Sequence, residues 1–147
     1  MGKTLACGLA WLFLAVAGLG VAPARASDIP EVKQRTVQAV IGAQLGALAL
    51  DDAARAFSFA SPAIQERFGD AATFMAMVRE GYPMLIRPAA VSYLRALAQA
   101  DKGLQPVLVR DRDGLGWIAI YELTRQPDMS WRINGCAVQP DDGKSAT

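Results

Sequence analysis

The longest uninterrupted apolar run stands at the start of the chain. After Lys3 no charged residue occurs until Arg25, and Leu5 to Gly20 is built almost wholly from Leu, Ala, Val, Gly, Trp and Phe. A positive start, an apolar core and the small-x-small triplet Ala24-Arg25-Ala26 form the pattern of a cleaved export signal. The run is also long enough to span a bilayer, for which about 20 residues suffice. Gly18, Gly20 and Pro23 loosen its end, and Ala24 and Ala26 stand where a signal peptidase reads, so cleavage is expected over anchoring. Cys7 precedes most of the apolar run, whereas a lipidated cysteine should follow it. The expected division is a signal peptide over 1–26, a single domain over 27–140 and a disordered tail over 141–147.

Beyond the signal the period becomes helical. Asp28 is a candidate cap, and Pro30 suits a first helical turn. Val37, Ile41, Leu45 and Leu48 then fall three or four apart, an apolar stripe on a helix of about 20 residues. Gly42 and Gly46 lie near the stripe, where they let another element approach at about 1 kcal/mol each in helix propensity. Asp51-Asp52 interrupts this helix and can cap a short second one from Ala53 to Ser58, with Phe57 and Phe59 as core anchors. Ser61-Pro62 opens a third, whose buried side is Ile64, Phe68, Met75 and Val78. Gly69-Asp70 divides it, and Gly81 stops it before Tyr82-Pro83.

The second half alternates. Met84 to Ile86 reads as a linker or edge piece ended by Arg87-Pro88. Val91 to Ala98 fits helix or strand, and strand is favoured because the clearer strands that follow need a partner. Those are Leu104 to Arg110, Gly116 to Thr124 and Trp131 to Val138, joined by the turns Asp111-Arg112-Asp113-Gly114 and Gln126-Pro127-Asp128-Met129. Short links make neighbours antiparallel. In the middle strand Trp117, Ala119, Tyr121 and Leu123 share one face, and Ile118 and Ile120 share the other. Both faces are apolar, so helices should cover one and something else should partly cover the other. The expected fold class is α+β: N-terminal helices packed on a curved antiparallel four-stranded sheet, a cone closed at one end and hollow at the other.

Charge and composition then narrow the function. Cleavage after Ala26 removes Lys3 and Arg25 from the 15 basic residues, leaving 13 against 14 acidic ones and a net charge of −1. The charges are interspersed, so neither nucleic acid nor, after signal cleavage, a membrane surface is an expected partner. The chain has no histidine, which removes Ser-His-Asp and Cys-His catalysis and histidine ligation of zinc or haem. Cys136 would be the sole cysteine left, and within an apolar run its expected state is buried and inert. No metal site and no cofactor are expected.

Three blocks carry a family resemblance. They are Asp51-Asp52-Ala-Ala-Arg-Ala-Phe57-Ser-Phe59-Ala-Ser61-Pro62-Ala-Ile64, then Met77-Val78-Arg79-Glu80-Gly81-Tyr82-Pro83, then Tyr121-Glu-Leu with Trp131-Arg132-Ile133-Asn134-Gly135-Cys136. In order and spacing the chain resembles the bacterial family known as domain of unknown function 4864, from about Val37 to Gln139. The resemblance implies a cystatin-like cone of the kind seen in nuclear transport factor 2 and the ketosteroid isomerases. It lends no activity, because that superfamily holds enzymes and simple binding domains alike. The pocket Asp and Tyr of the isomerase-like members align with no named position here.

Six residues are candidates for a pocket. Asp52, beside Asp51, is either a base at the pocket mouth or a helix cap, and the cap is the weightier reading. Arg79, Tyr82 and Arg87 bracket the passage from helix to sheet and could hold an anion, or else serve as helix-end and core groups. Trp117 and Tyr121, with Trp131, either line an apolar cavity or are plain core. The leading expectation is a periplasmic or secreted, non-enzymatic domain that binds a small apolar or amphipathic ligand or a partner protein. The alternative is an acid–base isomerase or dehydratase, which needs a buried carboxylate facing Tyr82 or Tyr121. A homodimer through the outer sheet face, with Tyr93, Ile118 and Ile120, is the third expectation.

Overall fold

The computed structural model describes residues 27, 28 and 30–143. The expected export signal, with Ala24 and Ala26, lies outside them, as do tail residues 144–147. Helix α1 (Glu31–Ala49) follows Pro30, which holds the cap position without a side-chain bond, and Gln34 N–H donates to the Pro30 carbonyl at 3.0 Å. Asp28 is not the cap, because it belongs to a two-residue strand, β1 (Ser27–Asp28). The α1 stripe of Val37, Ile41, Leu45 and Leu48 is buried, as its spacing requires, and Gln44 is buried with it. The two glycines beside the stripe differ. A Cβ on Gly42 would stand 3.2 Å from Tyr93 Oη, whereas one on Gly46 would meet nothing within 4 Å. Only Gly42 admits a close neighbour.

Three short helices follow, each begun by a side chain that accepts a free backbone N–H. Asp52 Oδ1 takes Arg55 N–H at 3.0 Å before α2 (Ala53–Ser58). Ser61 Oγ takes Ile64 N–H at 3.3 Å before α3 (Pro62–Phe68). Asp70 Oδ1 takes Thr73 N–H at 2.7 Å before α4 (Ala71–Gly81), and the bonds from Thr73 hold the Asp70 carboxyl below its usual range. Each such cap stabilises its helix by about 1 kcal/mol. Gly69, at φ +80°, ends α3 in a conformation that other residues avoid. Phe74, Met75 and Val78 bury one face of α4, and Phe57 is half-buried with its ring 5.3 Å from that of Phe74. Pro83–Leu85 is a single 3-10 turn, not an edge piece, and it seats Leu85 in the core. Among the described residues no helix is long and apolar enough to cross a membrane.

The remaining strands are β2 (Ala90–Tyr93), β3 (Leu97–Gln99), β4 (Lys102–Arg110), β5 (Gly116–Arg125) and β6 (Trp131–Pro140). Among the described residues they form, with β1, one open six-stranded sheet in the order β1-β3-β4-β5-β6, with β2 also on β4. All pairings are antiparallel. The expectation of four strands needs two corrections. β1 adds a short piece beside β3, and the strand expected over Val91 to Ala98 is two strands.

Pro106 explains that break. Tyr93 faces Val107 and Leu97 faces Leu104, so Leu94, Arg95 and Ala96 oppose only Gln105 and Pro106. The extra residue makes a bulge. Leu94 N–H donates to Pro106 O at 3.0 Å, but proline has no N–H to return. Gln105 supplies the missing donor, with Nε2 2.7 Å from Leu94 O and 2.7 Å from Pro106 O. Its Oε1 accepts from Gln38 Nε2 of α1 at 3.4 Å, and the Gln105 side chain is wholly buried.

The helices cover one face of the sheet, where Val107, Val109, Ala119, Tyr121, Leu123 and Ile133 are buried. On the other face Ile118 is buried, Ile120 is half-buried and Leu104 is 43% exposed. Tyr93 does not share that second face. It pairs with the buried Val107 and its hydroxyl reaches Gly42 of α1, so it stands on the helix side.

Candidate functional site

A second bulge shapes the site. In the β5–β6 pair Leu123 faces Ile133 and Glu122 faces Gly135, leaving Asn134 as the extra residue. Asn134 Nδ2 donates to Glu122 Oε1 at 3.1 Å, and Asn134 Oδ1 accepts from Ser61 Oγ at 2.8 Å. Ser61 N–H donates to Ile133 O, and Ile133 N–H to Phe59 O, each at 2.8 Å. The start of α3 is thereby tied to β6. A second tie follows α4, where Tyr82 Oη donates to Cys136 O at 3.1 Å.

Between α1, the α3–α4 pair and strands β5–β6 lies a cavity of about 670 Å³. Its helical wall is apolar, from Ile64, Phe68, Phe74, Met77 and Val78, and Leu48 and Leu85 extend it. Gln44, Asn134 and Cys136 add polar atoms, and the exposed Arg67 and Glu80 stand at its edge. Gln44 is committed in part, since its Nε2 donates to Ala56 O at 3.2 Å.

Tyr121 is the unusual group in this wall. Its side chain is 1% exposed, and its Oη is the one buried side-chain polar atom among the described residues that has no hydrogen-bond partner. Cys136 faces it across the β5–β6 pair, and the thiol perturbs the phenol electrostatically without an aligned hydrogen bond. Burial is the main cause of both groups' shifts: it pushes the phenol well above its ordinary 10 and the thiol up to about 12. Both are therefore neutral, with a proton to donate, at physiological pH. A buried hydroxyl left unpaired costs about 1–3 kcal/mol, so a folded protein that keeps one calls for an explanation.

The six candidate residues divide between this cavity and other places. Tyr82 and Tyr121 line it. Arg79 does not, because it forms an exposed ion pair with Asp51 at 2.6 Å. Asp52 caps α2. Arg87 and Trp117 border a separate hollow of about 200 Å³ beside the β4–β5 turn. There the Trp117 indole donates to Asp111 Oδ2 at 2.8 Å and holds that carboxyl below its usual range. No anion-binding cluster of Arg79, Tyr82 and Arg87 is assembled.

No buried carboxylate accompanies the tyrosines: among the described residues the buried polar side chains are Gln44, Ser61 and Gln105. Nor, among those residues, does any cluster of His, Cys, Asp and Glu offer a metal site. Gln44 and Asn134 escaped the sequence reading. Asn134-Gly135 inside a strand was the available signal, because a glycine there marks a bulge.

Comparison with curated proteins gives no match. The family model described as Domain of unknown function (DUF4864) matches residues 30–146, from the start of α1 to beyond the end of β6, and the chain belongs to that family.

Proposed function

We propose that this protein is an exported, non-enzymatic domain that binds a small apolar or amphipathic molecule in the hollow between α3–α4 and β5–β6. The observation that carries this reading is the hollow itself, about 670 Å³ with an apolar wall. Protein interiors leave few voids larger than a water molecule, and small-molecule sites occupy about 300–1,000 Å³. Helices on one face of a sheet with a hollow between them also support the likeness to the nuclear transport factor 2-like cone. The acid–base alternative lacks the carboxylate it requires. Tyr82 is occupied by the Cys136 carbonyl, and no buried carboxylate faces Tyr121.

Thermal unfolding against a library of lipids and apolar metabolites tests the binding reading. A true ligand raises the melting temperature increasingly with concentration, because it binds only the folded state. If no apolar compound does so at saturation, the reading fails. Export has its own test: bacterial expression of the full chain should yield a soluble product whose first residue is Ser27. A product that keeps Met1 and stays in the membrane fraction would favour the anchor instead.

A further inference from the structure

We propose that the ligand enters with a neutral hydrogen-bond acceptor, a carbonyl of the ketone, ester or amide kind, at its leading end, and that Tyr121 Oη donates to it. The inference rests on the cavity-binding reading above and adds the chemistry of the ligand's polar end. Its basis is the unpartnered hydroxyl. Tyr121 lines the cavity, is 1% exposed and gives its Oη proton to nothing in the protein. A group of this kind is satisfied by whatever fills the space beside it.

The surroundings select the class. The polar neighbour across the strand is Cys136, whose thiol is also protonated and so offers a second weak donor. The buried polar side chains of the described residues include no cation, and the basic residue in the cavity wall, Arg67, is exposed at its edge. A carboxylate drawn down to Tyr121 would lose its hydration for one neutral donor, which is a poor exchange. A carbonyl oxygen has little hydration to lose and gains a bond that the protein leaves open. A pure hydrocarbon fills the same volume and leaves the phenol unpaired.

Three probes matched in shape separate these cases: para-butylacetophenone, para-butylbenzoate and the hydrocarbon para-butylethylbenzene. Their binding to the cleaved protein would be measured by calorimetry or by displacement of a fluorescent apolar dye. The ketone is expected to bind about tenfold more tightly than either of the others, the scale of one buried hydrogen bond. In Tyr121→Phe the hydrocarbon should keep its affinity and the ketone should fall to within about twofold of it. The carbonyl stretch of the bound ketone, read by infrared difference spectroscopy, should drop in frequency in the unaltered protein, which requires no variant. Tightest binding of the benzoate, ketone preference that survives Tyr121→Phe, or an unshifted carbonyl stretch would each overturn the inference and leave the cavity reading standing. If none of the three binds and none raises the melting temperature, both fall together.

Discussion

Trp131→Ala should lower the stability of the folded domain by about 3–5 kcal/mol, the range for deleting a buried aromatic ring. Trp131 opens β6 opposite Arg125, is 5% exposed, and belongs to the main hydrophobic cluster that joins α1, α2, α4 and the sheet. Its removal leaves a hole the size of an indole in a closely packed interior that can relax only in part. Small domains are stable by about 5–15 kcal/mol, so this loss takes a large share of the total. Urea unfolding should show a much lower midpoint with an unchanged slope. Trp131 does not line the cavity, so ligand affinity should persist wherever the variant stays folded. A loss under about 1 kcal/mol would mean that the ring is not a core group. The contrast with Phe57 is instructive: it was also read as an anchor, but it is only half-buried and should cost less.

Gln105→Leu should cost about 2–3 kcal/mol, although leucine is similar in size and more apolar. The side chain is wholly buried, and its amide nitrogen serves the carbonyls of Leu94 and Pro106. Leucine would leave both acceptors without that donor in a partly buried setting, and each such loss costs about 1–3 kcal/mol. The structure also supplies a rescue. Pro106 O already accepts from Leu94 N–H, so residue 106 turns its backbone toward Leu94. Adding Pro106→Ala to Gln105→Leu restores a backbone N–H at that place, and part of the lost stability should return. Chemical denaturation of the single and double variants reads this directly, and hydrogen exchange at Leu94 should report faster opening in the single one. Failure of the second substitution to recover anything would show that Gln105 acts through packing rather than as a stand-in donor.

Much of the helical half was legible because its signals are local. Asp52, Ser61 and Asp70 each cap the helix that follows them, and Gly69 and Gly81 lie at the ends expected of them. The three clear strands and their turns followed from alternation and from Asp113-Gly114. What escaped depends on partners distant in sequence. Pro106 sits inside a run that reads as an ordinary strand, and its missing donor matters only because Leu94 lies opposite. Alternation placed Tyr121 on the inner face, but whether its hydroxyl has a partner depends on α1 and β6 together. Arg79, Arg87 and Asp52 have the chemistry of ligand-binding residues. Their occupation by Asp51, by a separate surface hollow and by a helix end could not be read from spacing.

The attachments along β6 have a consequence for how copies of this protein meet. A bare strand edge is a template onto which other chains can add. Here Phe59 and Ser61 occupy both backbone groups of Ile133, the Tyr82 hydroxyl occupies the carbonyl of Cys136, and the strand ends in Pro140, which has no N–H to offer. The residues that frame the hollow thus also deny that flank to strangers, and a change that released them would unlatch the cavity and create a seed for aggregation at one stroke.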